Sequence, residues 1–401
     1  MKFFQVFLQR SDKLFLTGIV AEFNPLHKGH EYLIKNAKKK GAVAVVLSGN
    51  FVQRGDVAIA EKGIRTQAAL LAGADLVVEL PVLWSMSTAQ NFCLGGVSAL
   101  KCCGCDEIMF GSEFGNIDSL NQVADILLSD EFKEKIDAEL KKGITFAAAR
   151  ENAAVACGAD SEILKGANNN LGIEYILAAK QNGYNINFST VSRKGADHDS
   201  LTEAEFVSAS LLRQKLLAND RAFCKKYMND NILSLFSEER LSDIKRVERA
   251  ILSVLRTKTK NELSRLPDLS EGVENKLFSA IRVASNLENL YNEIKVKRYT
   301  LARIRRLVLS AFLGAESDYF MKPLPYLRVL GFNPTGKRIL SERLSRAEVP
   351  VITRTADVNS LDASAKKVFE TECRATDLYG LTLNKPLNCG IEYTRKIINL
   401  E

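Results

Sequence analysis

Residues 18–30, GIVAEFNPLHKGH, constrain the fold most: an apolar run ends at Asn-Pro, and two histidines three residues apart open a helical pattern. Residues 14–21 have the apolar, β-branched character of a buried strand, Asn24-Pro25 breaks it, and GHEYLIKNAKKK from Gly29 repeats apolar residues at helical spacing. A strand, a tight turn and a helix in that order aim the free N–H groups of the helix N-terminus into the turn, where their partial positive charge favours a phosphate. His27 and His30 add imidazole donors at the same point. Phosphoryl and nucleotidyl transfer depend mainly on such positioned donors, so no protein nucleophile is required. A satisfied structural pair or a metal pair are the competing readings. Two of the chain's three histidines in one strand-to-helix turn favour the ligand site.

The first half alternates strand and helix patterns. Residues 42–48, 75–80 and 106–110 read as further strands, with helical patterns over 61–72 and 88–101, which predicts an α/β fold with a Rossmann-like parallel sheet. Ligands then meet the carboxyl ends of the strands, and Ser48-Gly49-Asn50 and Gly111-Ser112-Glu113 fall on the same rim as the histidine turn, so one pocket can gather all three. Arg193 and Lys194, leaving the strand-like NINFSTVSRK, are candidates for a triphosphate. In SASLLR, residues 208–213, serines can cap a helix start while Arg213 faces the same anion. Cys102, Cys103 and Cys105 invite a zinc reading, but they lack the two separated knuckles of a structural zinc site and read as buried thiols of a reducing cytoplasm.

Charge is distributed unevenly. Residues 241–310 carry 15 Lys and Arg against 8 Asp and Glu, a surplus of +7 that equals the formal charge of the whole 401-residue chain. The segment has helical periodicity with Lys295, Lys297, Arg298, Arg303, Arg305 and Arg306 between its apolar positions, a footprint expected of a nucleic-acid binder or of a solvated helix face. The length suits more than one unit. Residues 1–13 read as an extension with no cleavage-site pattern, 14–215 as the catalytic unit, and 216–401 as a mainly helical, basic region, with a turn-rich return toward the body from Pro323. No apolar run approaches the roughly 20 residues of a membrane helix, and a cytoplasmic location is expected.

The motif Asn24-Pro25-Leu26-His27-Lys28-Gly29-His30 resembles the HxGH signature of a nucleotidyltransferase superfamily. Its continuation in Ser48–Gly55 (SGNFVQRG), Asp75–Pro81 (DLVVELP), Phe110–Glu113 (FGSE), Asn168-Asn169, Leu171–Tyr175 (LGIEY), Arg193 with His198-Asp199, SASLLR and Asp377-Leu378-Tyr379 is similar to the tRNA(Met) cytidine acetate ligase family over nearly the whole chain. Leu26, Lys28, Ala167, Asn170 and Asp197 depart from the residues usual there. The resemblance implies an ATP-dependent ligase that makes acetyl-adenylate from acetate and passes the acetyl group to N4 of cytidine 34 in elongator tRNA(Met). It implies His27 and His30 as catalytic groups, ATP contacts from Val20, Ala21, Glu22, Phe23, Asn24, Pro25, Leu26, His27, Lys28, Gly29 and His30, and further contacts from Gly111, Asn168, Arg193 and Lys194. Mg2+ is expected to accompany the triphosphate without a dedicated protein cage, and the RNA to dock on the basic half. Two other classes stay open on sequence: a small-molecule cofactor nucleotidylyltransferase, and a noncatalytic RNA-binding protein with a vestigial nucleotide fold.

Overall fold

Residues 16–21 and 42–48 are apolar at consecutive positions rather than alternate ones, which demands strands covered on both faces. In the computed structural model, which describes residues 14–192, 207–269, 272–296 and 299–401, they are central strands of one sheet. The strands are β1 (Leu16–Ala21), β2 (Ala42–Ser48), β3 (Phe51–Val52), β4 (Asp56–Val57), β5 (Leu76–Leu80), β6 (Glu107–Ser112), β7 (Asn187–Ser192), β8 (Leu327–Phe332), β9 (Val351–Ile352) and β10 (Ile398–Asn399). The sheet runs β10-β8-β5-β2-β1-β6-β7, with β9 against β8 and β3-β4 forming a separate hairpin. Strands β5, β2, β1, β6 and β7 are mutually parallel, the doubly wound arrangement expected from the βα alternation.

The helices that bear on the site are α1 (Lys28–Lys38), α2 (Lys62–Leu71), α3 (Ala89–Cys102), α4 (Ala167–Gln181), α5 (Ala209–Leu217), α6 (Glu248–Thr257), α7 (Val273–Val283), α8 (Leu287–Ile294), α9 (Leu301–Leu313) and α10 (Ala363–Gly380). Side chains alternate across the sheet: Ala42, Ala44 and Val46 enter a core shared with α3, α4 and α10, while Val43, Val45 and Leu47 enter one shared with α1, α2 and α5. A third core joins α6 to α9 with Phe51 and Val57 of the hairpin.

The second half is mainly helical and also contributes strands to the sheet. It is helical as far as α9, but β8 runs antiparallel to β5 and carries β9 and β10 with it, so a boundary at 215/216 divides the sheet itself. Short strands at an edge, two of them only two residues long, give too little periodicity to be recognised in sequence. The proposed extension, residues 1–13, lies outside the described residues.

Candidate functional site

Strand β1 pairs with β2 along its whole length, from Leu16 opposite Ala42 to Ala21 opposite Leu47, but with β6 only at Thr17 and Gly18. Strand β6 continues beside β7 as far as Ser112 opposite Ser192. The chain therefore reverses its direction of winding between β1 and β6, and the two strands part toward their carboxyl ends. That switch point is where an open α/β sheet admits a ligand.

One lip of the crevice is the histidine turn. Phe23 is buried with φ of +44°, a left-handed conformation that a bulky residue adopts only when its surroundings fix it. They do: the Asn24 Oδ1 accepts from the Ile59 N–H at 2.7 Å, and the Asn24 carbonyl accepts from the Arg213 guanidinium at 2.9 Å. His27 is the N-cap of α1, its Nδ1 accepting from the Gly29 N–H at 3.1 Å, while the His30 Nδ1 accepts from the His27 N–H at 3.4 Å. The two rings stack with centroids 3.9 Å apart, and Phe23 meets His30 edge-on at 5.1 Å. A neutral imidazole that accepts at Nδ1 carries its proton on Nε2. The capping geometry thus sets both histidines as Nε2–H donors beside a helix N-terminus.

The ends of β1 and β2 are tied together beneath this turn by Arg65. Fully buried, it donates to the carbonyls of Ala60 (2.8 Å), Glu22 (2.7 Å) and Ser48 (3.0 Å) and to that of Gly49. Burial lowers its pKa to about 10, which leaves it cationic at neutral pH. The Glu22 carboxylate accepts from the Gln53 N–H at 2.8 Å, and burial pushes its pKa up against the opposing charges of Arg65, Arg213 and Arg54. Nothing in the sequence marks Arg65 apart from other charged positions on a helix; only the fold shows it beneath the strand ends.

The other lip is the end of β6 and the start of α4. The Glu113 carboxylate accepts from the Asn168 N–H (3.1 Å), the Asn168 Nδ2 (2.6 Å) and the Asn169 N–H (2.9 Å). Burial opposes its ionisation, but these hydrogen bonds prevail and hold the carboxyl below the ordinary glutamate range. Gly111 lies within β6, next to Ser112, whose hydroxyl donates to the buried Asn169 Oδ1 at 2.6 Å. The positions from Val20 to His30 thus form the end of β1, the turn and the start of α1, with Phe23 and Leu26 buried in the core beneath, while Gly111 lies at the end of β6 and Asn168 at the start of α4. Arg193, Lys194, His198 and Asp199 lie outside the described residues, immediately after Ser192 at the end of β7.

One expectation is corrected. Ser48-Gly49-Asn50 does not join the crevice: Asn50 is fully buried, accepts from the Lys62 N–H at 2.8 Å and donates to the Thr376 hydroxyl of α10 at 3.0 Å. Arg213 donates to the Asn24 carbonyl at 2.9 Å and to the Ser210 hydroxyl at 3.0 Å, which places it against the histidine turn.

The basic segment also divides on inspection. Arg306 is 9% exposed and donates to the Gln53 carbonyl (3.3 Å) and to Asp268 (2.9 Å), which also pairs with Arg303. The tip of the β3–β4 hairpin packs on α9 so closely that a Cβ at Gly55, where φ is +72°, would lie 2.6 Å from the Arg306 nitrogen. Lys245, Arg249, Lys260, Arg265, Arg282 and Lys295 are exposed, whereas Lys297 and Arg298 fall outside the described residues. Cys103 and Cys105 are buried and burial pushes both thiols up. Among the described residues no three His, Cys, Asp or Glu side chains converge to hold a metal, and no helix is long and apolar enough to cross a membrane.

Residues 15–392 match the model of the HIGH Nucleotidyl Transferase family. The tRNA(Met) cytidine acetate ligase of Thermoanaerobacter sp. (strain X514) is 37% identical over 96% of this chain and all of its own length. That of Caldanaerobacter subterraneus is 38% identical over 96% of this chain and 99% of its own. Among solved structures, Thermotoga maritima TmcAL bound with alpha-thio ATP superposes with a TM-score of 0.88 at 28% identity, covering 96% of this chain and all of that one.

Proposed function

The chain belongs to the tRNA(Met) cytidine acetate ligases of the HIGH nucleotidyl transferase family, and from this premise we propose that the β1–β6 crevice activates acetate with ATP and delivers the acetyl group to N4 of cytidine 34 in elongator tRNA(Met). One observation carries the proposal: at the switch point, His27 and His30 are stacked with both Nδ1 atoms engaged by backbone N–H groups, which sets a pair of Nε2–H donors at the N-terminus of α1.

Acetate is a poor acyl donor until its carboxylate carries a good leaving group. In the first step an acetate oxygen attacks the α-phosphorus of ATP, the bond to the bridging oxygen breaks, and pyrophosphate departs. The two imidazoles and the helix N-terminus lie where charge builds on the phosphate oxygens, so they lower the barrier by electrostatics fixed before the reaction begins. In the second step the N4 amine attacks the acetyl carbonyl, AMP leaves, and the amine loses a proton to solvent. Gly111 and Asn168 hold the nucleoside from the opposite lip, and Arg193 and Lys194 following β7 take the triphosphate. Mg2+ belongs to the triphosphate in this reading, and no step is routed through it. The exposed cations of residues 245–295 bind RNA phosphates in the cytoplasm, while Arg303 and Arg306 serve the fold.

The test is incubation with ATP, labelled acetate and elongator tRNA(Met), followed by nucleoside analysis. N4-acetylcytidine that depends on ATP and on His30 is the expected product. Its absence, with AMP transferred to a small cofactor precursor instead, would replace this reading by the cofactor nucleotidylyltransferase.

A further inference from the structure

We propose that Glu113 is a positioning residue for nucleotide recognition: it clamps the Asn168 side chain by its NH2 group, so that Asn168 meets the nucleoside with its carbonyl oxygen and selects a ligand that donates a hydrogen bond there. The proposal rests on the reading of the crevice as an ATP site.

An asparagine amide can turn either end toward a neighbour, but a carboxylate only accepts, so the atom 2.6 Å from the Glu113 Oε1 is the Asn168 nitrogen. Among the described residues no group donates to the Asn168 Oδ1, which leaves it available to a ligand. Capping of α4 does not explain the arrangement. The Asn168 and Asn169 N–H groups, at 3.1 and 2.9 Å, already satisfy that requirement, and the side-chain bond is the shortest of the three.

Glu113 is itself held from behind. Its N–H donates to the Asn169 Oδ1 at 3.0 Å, and the Asn169 Nδ2 donates to the Ile163 carbonyl at 3.0 Å. A Cβ at Gly166 would lie 2.6 Å from the Glu113 Oε2 and 2.5 Å from the Asn169 Nδ2, so only glycine leaves room for the clamp. Two neighbouring asparagines therefore divide the work. Asn169 locks the β6 end to α4, and Asn168 is oriented by that lock toward the crevice.

Two groups on ATP could donate to the Asn168 oxygen: the adenine 6-amino group and the ribose hydroxyls. Binding of ATP, inosine triphosphate and 2′,3′-dideoxy-ATP, measured by calorimetry without acetate on the full chain and its variants, separates them. In the unsubstituted protein one analogue should bind roughly tenfold more weakly than ATP, the usual worth of one hydrogen bond. A penalty on the inosine compound assigns the amino group, and a penalty on the dideoxy compound assigns the ribose. Glu113→Gln, whose amide can turn either end to Asn168, should weaken ATP roughly tenfold and erase that preference, and Asn168→Ala should do the same. Folded Glu113→Gln protein that keeps its ATP affinity and its preference while Asn168→Ala loses both would overturn the clamp alone. Unchanged ATP affinity in Asn168→Ala would overturn the site reading together with the clamp. A drop in melting temperature of Glu113→Gln without a change in saturable nucleotide affinity would reduce Glu113 to a helix cap and also overturn the proposal.

Discussion

Two clusters of polar residues sit at the carboxyl end of the same sheet, and they are built in opposite ways. Around Lys62, which is fully buried, the Glu372 and Glu392 carboxylates lie at 2.9 Å, Glu79 is in contact, and Arg328 pairs with Glu392. Glu372 also accepts from the Val82 N–H at 2.7 Å, and Thr376 donates to Glu392 at 2.6 Å. These charges answer one another, and the cluster joins α2, β5, β8, α10 and the C-terminal turn. In the β1–β6 crevice the polar groups are tied to backbone and neighbouring side chains rather than to opposite charges: imidazoles engaged through Nδ1, an asparagine engaged at its nitrogen, and a helix N-terminus beside them, which our proposed function reads as facing the nucleotide. Charge and burial therefore do not mark a functional site. What marks it is polar groups that the fold orients toward a space a ligand can enter.

Removing one partner from the closed cluster should have the largest effect. Lys62→Met leaves three buried carboxylates without their shared cation, and such losses cost about 3–5 kcal/mol, so urea unfolding should show a clearly lowered midpoint against a total stability of about 5–15 kcal/mol. A loss below about 1 kcal/mol would show that the cluster does not hold the sheet. The open site should respond the other way. His30→Ala should slow adenylate formation by about 10²–10³-fold, the scale of removing a transition-state donor, with stability lowered only by the roughly 0.5–2 kcal/mol that a lost helix cap costs. Arginines of the basic segment extend the comparison: Arg306→Ala should destabilise by about 1–3 kcal/mol through its buried hydrogen bonds, whereas Lys245→Ala with Arg249→Ala, two exposed positions, should leave stability intact. That pair should instead weaken tRNA binding and flatten the dependence of log affinity on log salt by about one for each phosphate no longer neutralised. Equal effects of both changes on RNA affinity would contradict the division.

The smallest effect is a pH dependence. Burial, reinforced by Glu79 and opposed by Lys62, pushes the Glu372 carboxyl above the ordinary glutamate range. In that window the folded protein retains a proton that the unfolded chain has released, so stability falls as pH rises through it. Melting temperature measured from pH 5 to 8 should decline in the unsubstituted protein and decline less in Glu372→Gln. Identical slopes would remove Glu372 from the closed cluster's titration.

The parallel sheet and the histidine turn were legible because their signals are local: continuous apolar runs fixed β1 and β2, and Asn-Pro before His27 marked the turn. What depended on distant chain was not. Asp268 makes Arg306 structural from 38 residues away, and Thr376 closes over Asn50 from 326 residues away, separations at which no periodicity operates. The sequence singled out Glu113 as part of a motif, yet its partner lies 55 residues on, across the crevice lip. Strands β9 and β10 escaped detection because two residues cannot display an alternation.

If the open crevice carries the chemistry and the closed cluster only the fold, adenylate formation must depend on the histidine turn. Acetate-dependent exchange of labelled pyrophosphate into ATP, measured without RNA, decides this by comparing the unsubstituted protein with His30→Ala. Exchange in the unsubstituted protein that falls by about two orders of magnitude in folded His30→Ala is the expected result. Exchange that persists undiminished in that variant would place adenylate formation elsewhere in the molecule.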